Sequence, residues 1–410
     1  MDDIFELTLD VMAYGGEAIG RYNDKAIFVP YTIPGERVRV EVVEDNPRYA
    51  KARLVEVLDP SPARIEPLCP YFGQDGCGGC QFQHIAYPVQ VQIKGLVVLD
   101  QLRRIGKFEE PPVLEPIADE SGWEYRNHVR FRTTEEGRPG FFAANSHRVI
   151  PVDDCLIMDP RLRDLYTALD MLQPDVEQME LRTGTATGDL MLLLQTFDEE
   201  SPTLEVDFPI SIVQVRHDTV GAPLIGLDYI KEVVNDREFR ISATSFYQVN
   251  TPQAGKLVDL VLAALDLSGY EKVLDAYCGM GLFTAFLSQA AGFVTGIELN
   301  AASIADARQN LVDADNVRFL EGQVEEILPT LEEKIDAAVL DPPRTGLERA
   351  ALDALVASNP RRIAYVSCDP ATLSRDARRL VALGYQLEWV QPVDLFPQTY
   401  HIENVALFTR

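Results

Sequence analysis

Residues 1 to about 58 alternate apolar and polar positions in short runs rich in Val, Ile and Tyr, and Gly15-Gly16, Asn23-Asp24 and Pro34-Gly35 punctuate them. The pattern predicts a small OB-like β-barrel over residues 1–60. "DPSPARIEPLCP", residues 59 to 70, ends it with prolines that break regular structure. A helical pattern follows near 88–106, placed to pack on whatever core lies further along the chain. From "YRNHVRFRTT" to about residue 240 the alternating runs predict an α+β unit, residues 61–240, with "EEGRPG" as a hairpin turn. Beyond 241 the pattern changes. "KVLDAYCGMGLFTAFLSQAAGFVTGIELN" reads strand, glycine turn, helix, strand, and "DAAVLD", "RIAYVSC" and "NVALFTR" are further apolar strand candidates. A Rossmann-like, doubly wound α/β unit over 241–410 completes a multidomain α/β chain. No internal repeat is visible.

In such a sheet, ligand-binding and reactive residues collect at the carboxyl ends of the strands. Asp275, Gly279 and Gly281 lie where a strand turns into a helix, and Glu298 ends the next strand at an interval that suits ribose hydroxyls. A dinucleotide fingerprint needs a third glycine, and Thr284 stands there instead. A ligand with a cationic sulfonium and an amino-acid tail, as in S-adenosylmethionine, suits this acidic turn better than a nicotinamide dinucleotide; a plain tight turn is the bland alternative. "VLDPPRTG" puts Asp341 at another strand end, followed by two prolines that fix a rigid loop and by Arg344. Enzymes that methylate exocyclic amines often carry an aromatic residue at the position of Arg344, so that chemistry is disfavoured. Cys368 ends the following strand, and Glu403 precedes the last one. A buried structural thiol and a solvated loop glutamate are the alternatives to a nucleophile and a base at one site.

The 410 residues allow several domains and a well-buried core. No stretch is long and apolar enough for a membrane span, and "MDDIFELTLD" has neither the basic start nor the apolar core of a signal peptide, so a cytoplasmic chain is expected. Six cysteines in a reducing compartment point to metal or catalytic use before disulfides. The formal charge of -27, spread along the chain with little lysine, suits a salt-rich cytoplasm in which screening shortens repulsion from a polyanion. An optimum for folding and activity at low salt would contradict that expectation.

Taken in order, the barrel, "CPYFGQDGCGGCQFQH", "YRNHVRF", "SFYQVN", "DAYCGMGLFT", "DPPRTG", "SCDPATLSRD" and "HIENVALF" resemble the RNA 5-methyluridine methyltransferase family. The similarity is greatest to its iron–sulfur, TRAM-domain members that act on 23S ribosomal RNA, and it spans nearly the whole chain. It implies a TRAM barrel, a class I methyltransferase domain, and S-adenosylmethionine as methyl donor. It makes Cys368 the nucleophile that adds to uracil C6 so that C5 can take the methyl group, and Glu403 the base that removes the C5 proton. Gln248, Tyr277, Glu298 and Asp341 fall on methyl-donor positions with the turn glycines Gly279 and Gly281, and Gln323 is placed near the adenine. Leu282 stands where the family often has asparagine, which removes one polar contact.

By the same resemblance Cys69, Cys77, Cys80 and Cys155 are ligands of a [4Fe–4S] cluster, three from one loop and the last from a distant strand, with zinc the chemical alternative. Seven residues separate Cys69 from Cys77 where the family usually has five, an enlargement around Gln74 and Asp75. Cys278 matches no ligand and reads as a small buried residue of the glycine turn. Phe246 is a candidate for stacking on the flipped uridine, with an ordinary core phenylalanine as the alternative, and Arg126, Arg130 and Arg132 are candidates for RNA contact. A loop or bulge uridine of 23S ribosomal RNA is the expected target. A transfer RNA loop uridine is the nearest alternative, a noncatalytic RNA-binding or assembly factor another, and a flavin or nicotinamide oxidoreductase a third. No membrane and no obligate protein partner are expected.

Overall fold

The structure is a computed structural model that describes residues 4–169, 176–196, 206–216 and 219–410. Strands β1 (Ile4–Met12), β2 (Glu17–Tyr22), β3 (Lys25–Pro30), β4 (Arg37–Asp45) and β5 (Tyr49–Asp59) close into a barrel in the order β1-β2-β3-β5-β4. Alternation drives the closure. Phe5, Leu7 and Leu9 of β1 point inward onto Val38 and Val40 of β4, and Ile27 and Val29 complete the core. Each fully buried Val or Ile contributes about 1.5–3 kcal/mol, so the pattern alone specifies which face is inside.

Helix α1 (Tyr87–Arg104) carries Pro88 in its first turn, where the missing N–H would have no helical acceptor, and ends with Arg103 and Arg104 at the negative end of the helix dipole. Its two apolar faces have different partners. Ile93 and Val97 join the barrel core, whereas Val98 and Leu102 join the core of the carboxyl-terminal sheet. Between these faces Lys94, 1 % exposed, donates to Asp394 at 2.6 Å and to the Phe396 carbonyl at 3.0 Å. Removing one member of a buried ion pair leaves the other charged and unpaired, so Lys94→Met is expected to cost about 3–5 kcal/mol. Urea unfolding of the two proteins would read this as a lowered midpoint at unchanged slope.

The central sheet has the order β12-β11-β10-β9-β6-β7-β8, built from β6 (His128–Thr133), β7 (Pro139–Phe142), β8 (Val149–Pro151), β9 (Val176–Thr183), β10 (Leu190–Thr196), β11 (Ser211–Arg216) and β12 (Thr219–Ile225). Helix α2 (Pro160–Ala168) packs on it, capped by Asp159, whose side chain accepts from the Arg161 N–H. The turn from β6 to β7 is the "EEGRPG" hairpin, closed by Thr134 donating to the Arg138 carbonyl. The hairpin of β13 (Tyr229–Val234) and β14 (Arg237–Ser242) lies almost wholly before residue 241, yet Ile230, Val234 and Phe239, with Ile241, share the core of the carboxyl-terminal unit.

That unit is a seven-stranded sheet in the order β17-β16-β15-β18-β19-β21-β20. Strands β15 (Lys272–Ala276), β16 (Phe293–Glu298), β17 (Val317–Glu321), β18 (Ala337–Leu340) and β19 (Arg362–Ser367) are parallel, and β21 (Glu403–Thr409) is antiparallel to both β19 and β20 (Gln386–Val393). Helices α3 (Thr251–Leu265), α4 (Leu282–Ala290), α5 (Ala301–Asn310), α6 (Val324–Ile327), α7 (Arg349–Ser358) and α8 (Pro370–Ala382) cover its faces. The strand order reverses between β15 and β18, which opens the crevice where ligands of doubly wound sheets bind.

Candidate active site

The carboxyl ends of β15 to β19 converge on that crevice. Asp275, fully buried on β15, accepts from the Thr284 hydroxyl at 2.5 Å through one oxygen, while its other oxygen has no hydrogen-bond partner. Burial pushes its carboxyl up to about 7 against the pull of the Thr284 hydrogen bonds. The turn that follows runs through left-handed backbone at Tyr277, Gly279 and Gly281. The two glycines serve different ends. A Cβ on Gly279 would meet nothing within 4 Å, so this turn faces open space, whereas one on Gly281 would lie 3.0 Å from Leu311 at the close approach to α5.

Glu298, at the end of β16, accepts from the Gly279 N–H at 3.0 Å and the Asn300 N–H at 2.7 Å, which fixes the carboxylate beside the turn. Gln323, exposed, is the residue before α6, next to Gly322 whose N–H donates to the Glu298 carbonyl. Asp341 follows β18, and burial together with Asp275 and Glu298 pushes it up to about 7. Gln248 is 7 % exposed and its carbonyl accepts from the Asn127 amide at 3.0 Å. Three acidic groups around one glycine turn make a pocket that favours a cation. Cys278 is buried behind the turn, its sulfur against Gly296.

Cys368 and Glu403 come together through strand register. Ser367 of β19 pairs with Asn404 of β21, and the Asn404 amide donates to the Ser367 carbonyl at 3.1 Å. One step outward on each strand stand Cys368 and Glu403, so the antiparallel strand returns the glutamate to the thiol. Glu403 is 2 % exposed; burial and Asp341 push it well above the carboxylate range, with Arg344 pulling the other way. Burial, then Glu403 and Asp341, push the Cys368 thiol up to about 12, again against Arg344. In the ligand-free crevice both shifts therefore disfavour the charged forms of the thiol and of Glu403.

Sequence reasoning missed Tyr14, on the turn between β1 and β2. Its hydroxyl donates to Asp369 at 3.0 Å, and its ring lies edge-on to Tyr400 at 5.7 Å between centroids. An aromatic residue just before Gly15-Gly16 is a faint signal for a surface contact, but nothing in the sequence indicates a partner 355 residues away.

Phe246 is 66 % exposed and so is not a core residue. Arg130 and Arg132 lie on the outward face of β6 while Val129 and Phe131 point inward, and they pair with Glu180 at 2.8 Å and Glu177 at 3.0 Å. Arg126 precedes the strand instead of lying on it, and its Nε donates to the His128 carbonyl. Cys69, Cys77, Cys80 and Cys155 all line one cavity of ≈ 160 Å³ with Arg126 and Arg130 at its wall. Cys155 belongs to the loop between β8 and α2, not to a strand, because β8 ends at Pro151 and Asp154 accepts from the Cys155 N–H in a local turn. Burial raises all four thiols, Cys155 up to about 11. Backbone N–H groups point at Cys69, Cys77 and Cys155. Among the described residues no group of three or more His, Cys, Asp or Glu side chains is set to hold a metal ion. The enlarged loop is anchored at its middle, the Gln74 amide donating to the Leu54 carbonyl and the Asp75 main-chain carbonyl accepting from Arg148, each at 2.8 Å.

The sheet order, the open glycine turn and the acidic strand ends define an S-adenosylmethionine-dependent methyltransferase of the class I fold, here joined to a TRAM barrel. The model of the tRNA (uracil-5-)-methyltransferase family matches residues 207–410, and that of the TRAM domain residues 5–55. An RNA methyltransferase of Halalkalibacterium halodurans is 36% identical over 99% of this chain and 97% of its own length. One of Gloeobacter violaceus is 37% identical over 98% and 95%. The crystal structure of Pyrococcus abyssi tRNA (uracil-54, C5)-methyltransferase in complex with S-adenosyl-L-homocysteine has the same fold, with a TM-score of 0.78 over 99% of this chain and all of that one, at 24% identity. The chain belongs to the RNA (uracil-5-)-methyltransferase family. No helix among the described residues is long and apolar enough to cross a membrane.

Proposed function

We propose that the protein forms 5-methyluridine in a loop or bulge of 23S ribosomal RNA, with Cys368 as nucleophile and Glu403 as base. The observation that carries this reading is the β19–β21 register, which sets a thiol and a carboxyl side by side at the mouth of the donor crevice. Uracil C5 is a weak carbon nucleophile. Addition of the Cys368 thiolate at C6 forms a carbon–sulfur bond and moves the ring electrons into an enolate, whose C5 becomes reactive. S-adenosylmethionine supplies the electrophilic methyl group. Gln248, Tyr277, Gly279, Gly281, Glu298, Gln323 and Asp341 form its crevice, Glu298 at the ribose. Glu403, in its carboxylate form, then takes the C5 proton, the C5–C6 double bond re-forms, and the thiolate leaves.

Because the acidic crevice titrates near neutrality, donor binding depends on pH. A cation favours loss of a proton from the Asp275–Asp341 pair, so affinity for S-adenosylmethionine is expected to rise about tenfold from pH 6 to pH 8, the change that one proton released near 7 by that pair produces. S-adenosylhomocysteine lacks the sulfonium charge and should show a smaller slope. Calorimetric titration of both ligands across this range checks the sign; equal slopes, or an affinity that falls with pH, would contradict the assignment.

Phe246, exposed beside Gln248, suits a stacking role on the extruded base, and Arg126, Arg130 and Arg132 are assigned to the RNA path. We assign the four-cysteine cavity to a [4Fe–4S] cluster that holds the loop and the RNA face in place. A single structural zinc is the chemical alternative, since four thiolates also hold that ion. Metal analysis and visible absorbance decide between iron and zinc. Transfer RNA is the second reading, favoured by the name of the matching family. Labelled S-adenosylmethionine, offered with ribosomal and transfer RNA transcripts separately, tests both, the modified nucleoside being identified by mass spectrometry. Label in 5-methyluridine of ribosomal RNA supports the first, and of transfer RNA only, the second.

A further inference from the structure

Tyr14 belongs to the barrel, yet it touches both loops that carry the reacting side chains. Its hydroxyl donates to Asp369 Oδ2 at 3.0 Å, and Asp369 directly follows Cys368. The other oxygen of Asp369 accepts from the Ala371 and Thr372 N–H groups at 2.9 and 2.8 Å, which caps α8. The Asp369 carbonyl accepts from the Ser367 and Thr372 hydroxyls at 3.0 and 3.2 Å. Apart from this frame, which is built from the thiol's own loop, the tyrosine is the fixed point that reaches Asp369 from another domain. The Tyr14 ring also meets Tyr400, in the loop that leads to Glu403, and Gln81 and Phe82 tie that loop to the cysteine segment by donating to the Gln398 carbonyl.

The geometry points to Tyr14 as a positioning residue for the methylation reaction: a strut through which the barrel, once seated on RNA, holds the Cys368 loop in the geometry that attacks the base. This inference rests on the assignment of Cys368 as nucleophile. The Tyr14 hydroxyl does not itself touch the donor crevice, and its acceptor is a carboxylate already committed to a helix cap. Losing it frees the loop to rotate about the cap without unfolding the helix. A misplacement of the thiol by less than an ångström acts on the rate of attack and leaves donor binding alone.

The experiment compares the native protein with Tyr14→Phe, Asp369→Asn and the double variant, using RNA in which the target uridine is replaced by 5-fluorouridine. That base cannot lose its C5 substituent and so traps the covalent protein–RNA product. Tyr14→Phe keeps the ring against Tyr400 and is expected to slow both trapping and single-turnover methylation about tenfold, the effect of one hydrogen bond to a charged group. KM for RNA, affinity for S-adenosylmethionine and melting temperature should stay unchanged. Asp369→Asn keeps an oxygen for the helix cap and should give a similar loss, with the double variant less than twofold slower than either single one. Native trapping rates in Tyr14→Phe, a loss confined to KM, or fully additive effects of the two substitutions would overturn the proposal. Absence of any trapped product in the native protein would overturn the Cys368 assignment instead.

Discussion

Cys368→Ala is expected to abolish methyl transfer, by at least about 10⁴-fold, while the protein still folds, binds S-adenosylmethionine and binds RNA. The size follows from what the thiol is asked to do. Without addition at C6, C5 has no electron density with which to attack the methyl group, and neither Glu403 nor the donor can supply it. The specificity of the loss follows from the site. Cys368 is half-buried and its loop is fixed by Ser367, Asp369 and Thr372, none of which needs the sulfur. Donor binding is assigned to the ends of β15, β16 and β18 and should be left intact. The raised thiol also sets a condition on the native enzyme: burial, Glu403 and Asp341 disfavour the thiolate, and a positive charge entering beside Cys368 favours it. The measurement is transfer of label from S-adenosylmethionine to RNA, with equilibrium dialysis of the donor and a melting curve on the same samples. Residual turnover within tenfold of the native protein would show that the nucleophile lies elsewhere.

The parts of this site that could be read from the sequence are those fixed by local periodicity. Strands β15 and β16 are short apolar runs that carry Asp275 and Glu298 in their last two residues, and β18 and β19 are followed at once by Asp341 and Cys368, so one rule, that a parallel strand delivers its last residues to the ligand edge, placed all four residue types. Helix α1 was equally visible from its apolar spacing, and its two-sided packing was not, because both partners lie far along the chain. Glu403 needed more. Its place beside the thiol depends on β21 running antiparallel in one particular register, and a slip by one residue would turn its side chain to the other face of the sheet. From sequence it was a candidate base only in company with Cys368, and the family resemblance then gave it that role. Tyr14 lay beyond both routes, since a hydrogen bond across domains leaves no periodic trace. The division of labour between Gly279 and Gly281 was hidden for a related reason: both need left-handed backbone, and only the packed structure shows which faces open space and which faces Leu311. Cys155 shows the opposite error, a residue placed on a strand where a proline and an aspartate turn make a loop.

Glu403→Gln should separate the two halves of the reaction. Since burial and Asp341 disfavour the charged form of the native carboxyl in the ligand-free protein, glutamine is a close match in shape and charge, and the fold and the donor crevice should be undisturbed. Addition of Cys368 at C6 and methylation at C5 make no demand on the glutamate as a base, so both proceed. The product of these steps carries a methyl group and a hydrogen on C5 and a sulfur on C6. Glutamine cannot accept that hydrogen as a proton, the C5–C6 double bond cannot re-form, and the carbon–sulfur bond cannot break. Turnover is therefore expected to fall by about 10²–10⁴-fold, the usual contribution of a positioned general base. Close to one equivalent of labelled RNA should remain attached to the protein on a denaturing gel. The double variant Cys368→Ala/Glu403→Gln should show no attached RNA. If Glu403→Gln instead released free 5-methyluridine RNA at the native rate, another group would be the base. If it bound donor and RNA but attached neither label nor RNA, the glutamate would act before methyl transfer, deprotonating the thiol, and the raised Cys368 would then have its activator in Glu403 and not in the incoming positive charge.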